Sequence, residues 1–101
     1  FNEALLVDYM LRTINDDATR LSLLGSYLES IKSTVFRQTQ FAEFELRMHE
    51  RAAQGHAITG DALAELYQDI TRRYYGHDAG VCVVDEYVQH EWSYIPHFYS
   101  E

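Results

Sequence analysis

Proline occurs once in this chain, at Pro96, cysteine once, at Cys82, and basic residues are half as numerous as acidic ones, 8 against 16. Each shortage excludes something. A lone cysteine cannot close an internal disulfide, so a reducing, cytoplasmic setting is expected. Cys82 has no neighbour in sequence that would lower its thiol pKa, and a buried, inert thiol is its default. No proline precedes position 96 to break a helix. A formal net charge of −8 argues against nucleic-acid backbone, which needs clustered Lys and Arg, and against an anionic membrane surface. No apolar run approaches the ~20 residues of a membrane span, and no secretory-signal pattern opens the sequence. The expectation is no nucleic-acid partner and no membrane.

Apolar mass is what the chain has. Its composition is 47% hydrophobic and 14% aromatic, with eight Tyr and five Phe, which argues against disorder. A length of 101 residues fits a single domain over 1–101, and burial of roughly 60–65% of the unfolded surface. So many rings are unusual in a small helical domain, and some are expected to form an exposed patch. The chain opens without Met, and Phe1 already sits inside a helical pattern. It is therefore expected to be a piece of a longer protein.

Spacing predicts an all-α fold: a long central helix, shorter helices packed against it and one extended linker. Leu5, Leu6, Tyr9, Met10, Leu11 and Ile14 make residues 1–14 an amphipathic helix. Asn15-Asp16-Asp17 interrupts it, and either Asp can cap the next helix. From Ala18 to about Ala53 the pattern is continuous through Leu21, Leu24, Leu28, Ile31 and Val35, and Gly25–Ser26 is where a bend is expected. Gly55 is the expected left-handed cap. Thr59 or Asp61 starts a third helix with a stripe of Leu63, Leu66, Tyr67, Ile70 and Tyr74, closed by Gly76. Residues 77–84 read as an extended linker, whose Val81-Cys82-Val83-Val84 run lacks a partner strand. Asp85 is expected to cap a short fourth helix through Trp92 or Tyr94. Pro96 disfavours helix at Ile95, leaving His97-Phe98-Tyr99 on a turn or at a new start. No internal repeat or low-complexity tract is present.

The run Phe36-Arg37-Gln38-Thr39-Gln40-Phe41-Ala42-Glu43-Phe44-Glu45 departs from amphipathic writing. Its three aromatics point to different sides of a helix, so the polar residues between them are expected among packed groups, where charge must be paired. The run resembles the Phe-Arg-Gln-Thr-x-Phe-Ala-Glu-Phe-Glu signature of the oligoendopeptidase F family, zinc metallopeptidases of the thimet-oligopeptidase superfamily. Trp92-Ser93-Tyr94-Ile95-Pro96-His97-Phe98-Tyr99 resembles the family's Trp-x-x-Ile-Pro-His-Phe-Tyr segment. Tyr74-Tyr75-Gly76, then Asp85-Glu86, then Trp92 repeat the family's spacing. Phe1-Asn2-Glu3-Ala4-Leu5-Leu6 resembles the segment that follows its third zinc ligand. The resemblance covers essentially the whole chain, in family order.

The family's His-Glu-x-x-His motif places two zinc-binding imidazoles one helical turn apart, with the Glu as general base. Neither His-Glu pair here completes it: His49-Glu50-Arg51-Ala52-Ala53 carries Ala at the second ligand position, and His90-Glu91-Trp92-Ser93-Tyr94 carries Tyr. The family's third ligand, a Glu, falls upstream of Phe1. The resemblance thus implies a piece of a zinc-dependent, oligopeptide-cleaving endopeptidase, with zinc in the parent enzyme and none bound by this chain. The chain alone is expected to be inactive, supplying cleft wall and residues that support the metal site.

Within that implication His97 and Tyr99 are the catalytic candidates. A His and nearby Tyr of this superfamily face the scissile carbonyl, and their donors stabilise the developing oxyanion; either imidazole tautomer offers one N–H. A packed His after a Pro turn is the plain alternative. Glu3 matches an acidic residue that steadies a zinc-binding His, against the simpler reading of a solvent-facing Glu in a first turn. Tyr94 and Arg37 are substrate-cleft candidates. Arg37, Gln38, Glu43 and Glu45 can equally form a network that locks the helix, and Glu43 and Arg47 sit at i, i+4. Glu45/His49 and Glu86/His90 each put a carboxylate and an imidazole on one helical face, more readily as surface pairs than as a metal site. A different class of reading also stands: a non-catalytic helical interaction module that self-associates through an aromatic face. Either way, the isolated chain is expected to be a homo-oligomer.

Overall fold

The computed structural model describes residues 1–99. They are helical, with no strand, and divide into two compact units, residues 1–37 and residues from 38 onward.

The first unit is a pair of helices. Helix α1 spans Asn2–Thr13 and α2 spans Asp17–Ile31, followed by one π-helical turn, Lys32–Phe36. Asp16 starts α2 as expected, its Oδ2 accepting from the Thr19 N–H at 2.8 Å and the Thr19 hydroxyl at 2.5 Å. These bonds hold the Asp16 carboxyl below the usual carboxylate range, the side-chain bond from Thr19 contributing most. Arg20 of α2 reaches back to the Leu11 carbonyl at 2.5 Å and the Ile14 carbonyl at 3.3 Å. It thereby satisfies acceptors that the end of α1 leaves open. Gly25 stays inside regular α2, and the irregularity falls instead at the π turn.

Only Val7 is buried in this unit. Leu5, Leu6, Tyr9, Leu21, Leu24 and Leu28, the apolar stripes of both helices, are exposed, as are Val35 and Phe36. Of the three aromatics in the 36–45 run, Phe36 therefore lies outside the core.

The second unit holds the core. Helix α3 runs over Arg37–Ala53 and α4 over Gly60–Tyr75, with 3₁₀ segments at Glu86–Tyr94 and Pro96–Phe98. Phe41, Phe44, Leu63, Tyr67 and Ile70 are buried together, and Met48, Leu66, Tyr74, Val88, Trp92, Ile95 and Phe98 pack against them. Phe44 and Tyr67 meet edge-to-face at 5.1 Å and 88°. Such pairs add about 0.5–1.5 kcal/mol beyond their area.

Three boundaries follow from local chemistry. Thr59 caps α4 by accepting from the Ala62 N–H at 3.2 Å. Gly55 takes φ 78° after α3, and Gly76 takes φ 64° after α4. The left-handed conformation at Gly76 favours glycine there, and a Cβ would lie 3.1 Å from Val81 Cβ and Cγ2, so Val81 would have to shift.

Two expectations are corrected beyond α4. The short fourth helix forms over Glu86–Tyr94 with Asp85 at its N-cap, as expected, but it is 3₁₀ and Asp85 makes no capping side-chain bond to it. Cys82 is exposed, not buried, because residues 76–80 turn tightly and carry 81–83 outward; only Val84 of the Val81–Val84 run returns to the interior.

Candidate active site

The segment that ends the described chain is built on aromatic packing. Pro96 opens the final 3₁₀ turn at its first position, where a missing N–H costs nothing. Phe98 turns inward, 5.1 Å from Phe44 and 5.8 Å from Phe41 by ring centroids. His97 turns the other way. It is exposed, yet its ring lies 5.6 Å from Phe41 and 4.3 Å from Phe98. Tyr99, 62% exposed, has its ring 6.4 Å from Trp92. Among the described residues neither imidazole nitrogen of His97 nor the hydroxyl of Tyr99 has a hydrogen-bond partner. The result is two donors on one short segment, propped from beneath by packed rings. Tyr94 is 82% exposed, on the preceding 3₁₀ segment.

Polar residues of the 36–45 run form a network. Gln40 is buried and its Nε2 donates to Thr71 Oγ1 at 2.6 Å, whose hydroxyl donates to the Tyr67 carbonyl at 2.8 Å. The buried Tyr67 hydroxyl donates to Glu91 Oε2 at 2.7 Å. Glu43 accepts from Arg73 of α4 and from the Tyr74 hydroxyl at 3.0 Å. Arg47 stands off Glu43 at 3.8 Å and bonds Glu50 at 3.0 Å. Burial works to raise the Glu43 carboxyl; the bonds from Arg73 and Tyr74, with the charges of Arg73 and Arg47, outweigh it and hold the group below its ordinary range. Burial first, then the Glu43 carboxylate, push the Tyr74 phenol up. Beside this network lies an open groove of about 260 Å³ lined by Glu43, Arg47, Leu66, Asp69, Ile70 and Arg73. The network ties α3 to α4 through Gln40 and Glu43; of the four residues weighed for a helix-locking network, Glu43 is the one these bonds include. Its partners about thirty residues apart carry no sequence signal.

Glu3 is exposed in the first turn of α1, and Arg37 is half-buried at the end of the first unit. The two carboxylate–imidazole pairs do not meet. Glu86 and His90 do not even share a face, because a 3₁₀ segment turns about 120° per residue and separates i from i+4. No group of three or more His, Cys, Asp or Glu among the described residues could hold a metal ion.

Residues 1–101 match the model of peptidase family M3 from end to end. The chain belongs to peptidase family M3. It is 44% identical over 98 residues to the oligopeptidase PepF of Bacillus subtilis (strain 168), covering 97% of this chain and 14% of that protein. It is 43% identical to the chromosomal oligoendopeptidase F of Lactococcus lactis subsp. cremoris over 97% of the chain and 16% of the relative. The group B oligopeptidase PepB of Streptococcus agalactiae serotype III (strain NEM316) is 40% identical over the same shares. This M3 chain thus spans about a sixth of the length of its curated relatives. No solved structure matches it, and no described helix is long and apolar enough to cross a membrane.

Proposed function

We propose that this chain is part of the catalytic domain of a cytoplasmic, zinc-dependent endopeptidase that cleaves oligopeptides, and that it supplies cleft wall and oxyanion donors. One observation carries the reading: in a chain of the M3 family, His97 and Tyr99 present donors with no hydrogen-bond partner among the described residues, from a segment anchored by Phe98 on Phe41 and Phe44. Zinc enters only as the parent's cofactor. The residues described here offer no ligand set that fits it, and the roles that follow belong to this chain's own side chains.

As the scissile peptide carbonyl is attacked, its oxygen gains negative charge. An N–H of His97 and the O–H of Tyr99 donate to that oxygen more strongly in the transition state than in the ground state. The rings beneath them limit their freedom, so little reorganisation is needed at the moment of reaction. Glu3 orients a zinc-binding imidazole of the parent. Tyr94 and Arg37 belong to the wall along which the peptide lies.

The test is kinetic, in the complete protein. His97→Ala should lower turnover about 100- to 1000-fold, equivalent to about 2.7–4 kcal/mol, with much smaller changes in Michaelis constant and bound zinc. Tyr99→Phe should show a milder loss. Near wild-type turnover in folded, zinc-loaded His97→Ala enzyme would leave His97 a residue of packing alone.

A second reading rests on a separate observation, the exposed stripes of α1 and α2. Such a face favours burial against another copy of the chain, and it gives the isolated chain a route to self-association.

A further inference from the structure

The loop after α4 is held in two stages. In the first, backbone bonds close the turn: Gly76 N–H returns to Arg73 O, His77 N–H to Arg72 O at 2.9 Å, Gly80 N–H to His77 O at 3.0 Å and Val81 N–H to Gly76 O at 3.0 Å. In the second, no backbone acceptor is used. The Val84 N–H donates instead to His77 Nδ1 at 2.9 Å. Val84 is buried, while Val81 and Val83 are each 79% exposed. One imidazole therefore sets where the chain re-enters the fold, immediately before Asp85 and the 3₁₀ segment that begins at Glu86.

That bond is chemically one-sided. Nδ1 has a lone pair for an N–H donor only in the neutral imidazole with its proton on Nε2. A proton on Nδ1 sets donor against donor and leaves the Val84 N–H, next to a buried side chain, without its partner. The charged groups of the neighbouring elements are Arg72 and Arg73 in the last turn of α4, Asp78 in the loop, and Asp85 and Glu86 where the next segment starts. Arg73 is engaged with Glu43, and none of the five forms an ion pair with His77 among the described residues. Imidazole is the side chain that exchanges its proton between about pH 5 and 8.

We infer that His77 is a proton-operated latch on the 77–84 loop: neutral, it holds Val84 in place; protonated, it releases Val84 and frees the loop. The inference rests on the loop alone and is independent of the peptidase reading.

Hydrogen exchange read by mass spectrometry on the complete protein tests it, over a series from about pH 7.5 to about pH 5, with rates corrected for the intrinsic pH dependence of exchange. The Val84 amide should lose protection about ten-fold per pH unit on the acid limb, the slope of one linked proton. In His77→Ala its protection should be low and flat across the series. His77→Asn, which has an acceptor but no titrating proton, should also be flat. Wild-type protection that does not change with pH would overturn the latch, and so would an equally steep loss in His77→Ala. The wild-type profile decides even if neither variant folds.

Discussion

Glu43 shows how a single residue joins two helices through charge and hydrogen bonding. Its carboxylate accepts from Arg73 and Tyr74, and those partners hold it below its ordinary range against the opposing effect of burial. A lowered folded-state pKa contributes stability above the unfolded value and loses it as pH falls through the folded value. Arg73 is 60% exposed, so solvent screening keeps the contribution to about 1 kcal/mol or less. Glu43→Gln should therefore destabilise the chain at neutral pH. The difference from wild type should shrink as pH falls below the reference value of 4.5. Urea titrations of both proteins near neutrality and in acid compare the two; a gap that does not narrow in acid would remove the charge from the explanation. The Glu43–Arg47 spacing was visible in the sequence, but the stronger partner was not: α4 brings Arg73 alongside only after the helices pack.

At the scale of elements, two glycines make opposite cases. Gly76 ends α4 in the left-handed region, with Val81 against the place where a Cβ would stand. Gly25 lies within α2 with open space around it. Gly76→Ala should cost about 1–2 kcal/mol from backbone conformation alone, with added strain from Val81. Gly25→Ala should instead gain about 0.5–1 kcal/mol. Thermal melts of the two variants should move in opposite directions, and matching shifts would contradict the account. The contrast marks how far local signals reach. The caps at Asp16 and Thr59 and the stops at Gly55 and Gly76 were legible because each acts within four residues. The 3₁₀ character of Glu86–Tyr94 was not, because Val88 and Trp92 are drawn onto a core formed by α3 and α4, a tertiary demand that overrides spacing. The position of Phe36 outside the core was hidden for the same reason. His97 and Tyr99 stand as catalytic candidates through family resemblance; the ring contacts of their segment with Phe41, Phe44 and Trp92 came only with the fold.

For the molecule as a whole, apolar surface is unevenly distributed. One unit buries a five-residue aromatic and aliphatic cluster, while the other buries only Val7 and exposes the stripes of α1 and α2. Exposed apolar faces of this extent favour association. Light scattering on the isolated chain across a concentration series should show a mass above the 11.8 kDa monomer that rises with concentration. A constant monomer that binds no hydrophobic dye would count against self-association.

The central claim is that the chain is a working part of an M3 peptidase whose metal is held elsewhere. Cleavage of a quenched oligopeptide, measured side by side for the complete protein and for the isolated 101-residue chain, tests it most directly. The account predicts zinc-dependent, chelator-sensitive cleavage by the complete protein. It predicts none by the isolated chain, with or without added zinc. Zinc-dependent turnover by the isolated chain, or metal-independent turnover by the complete protein, would contradict it.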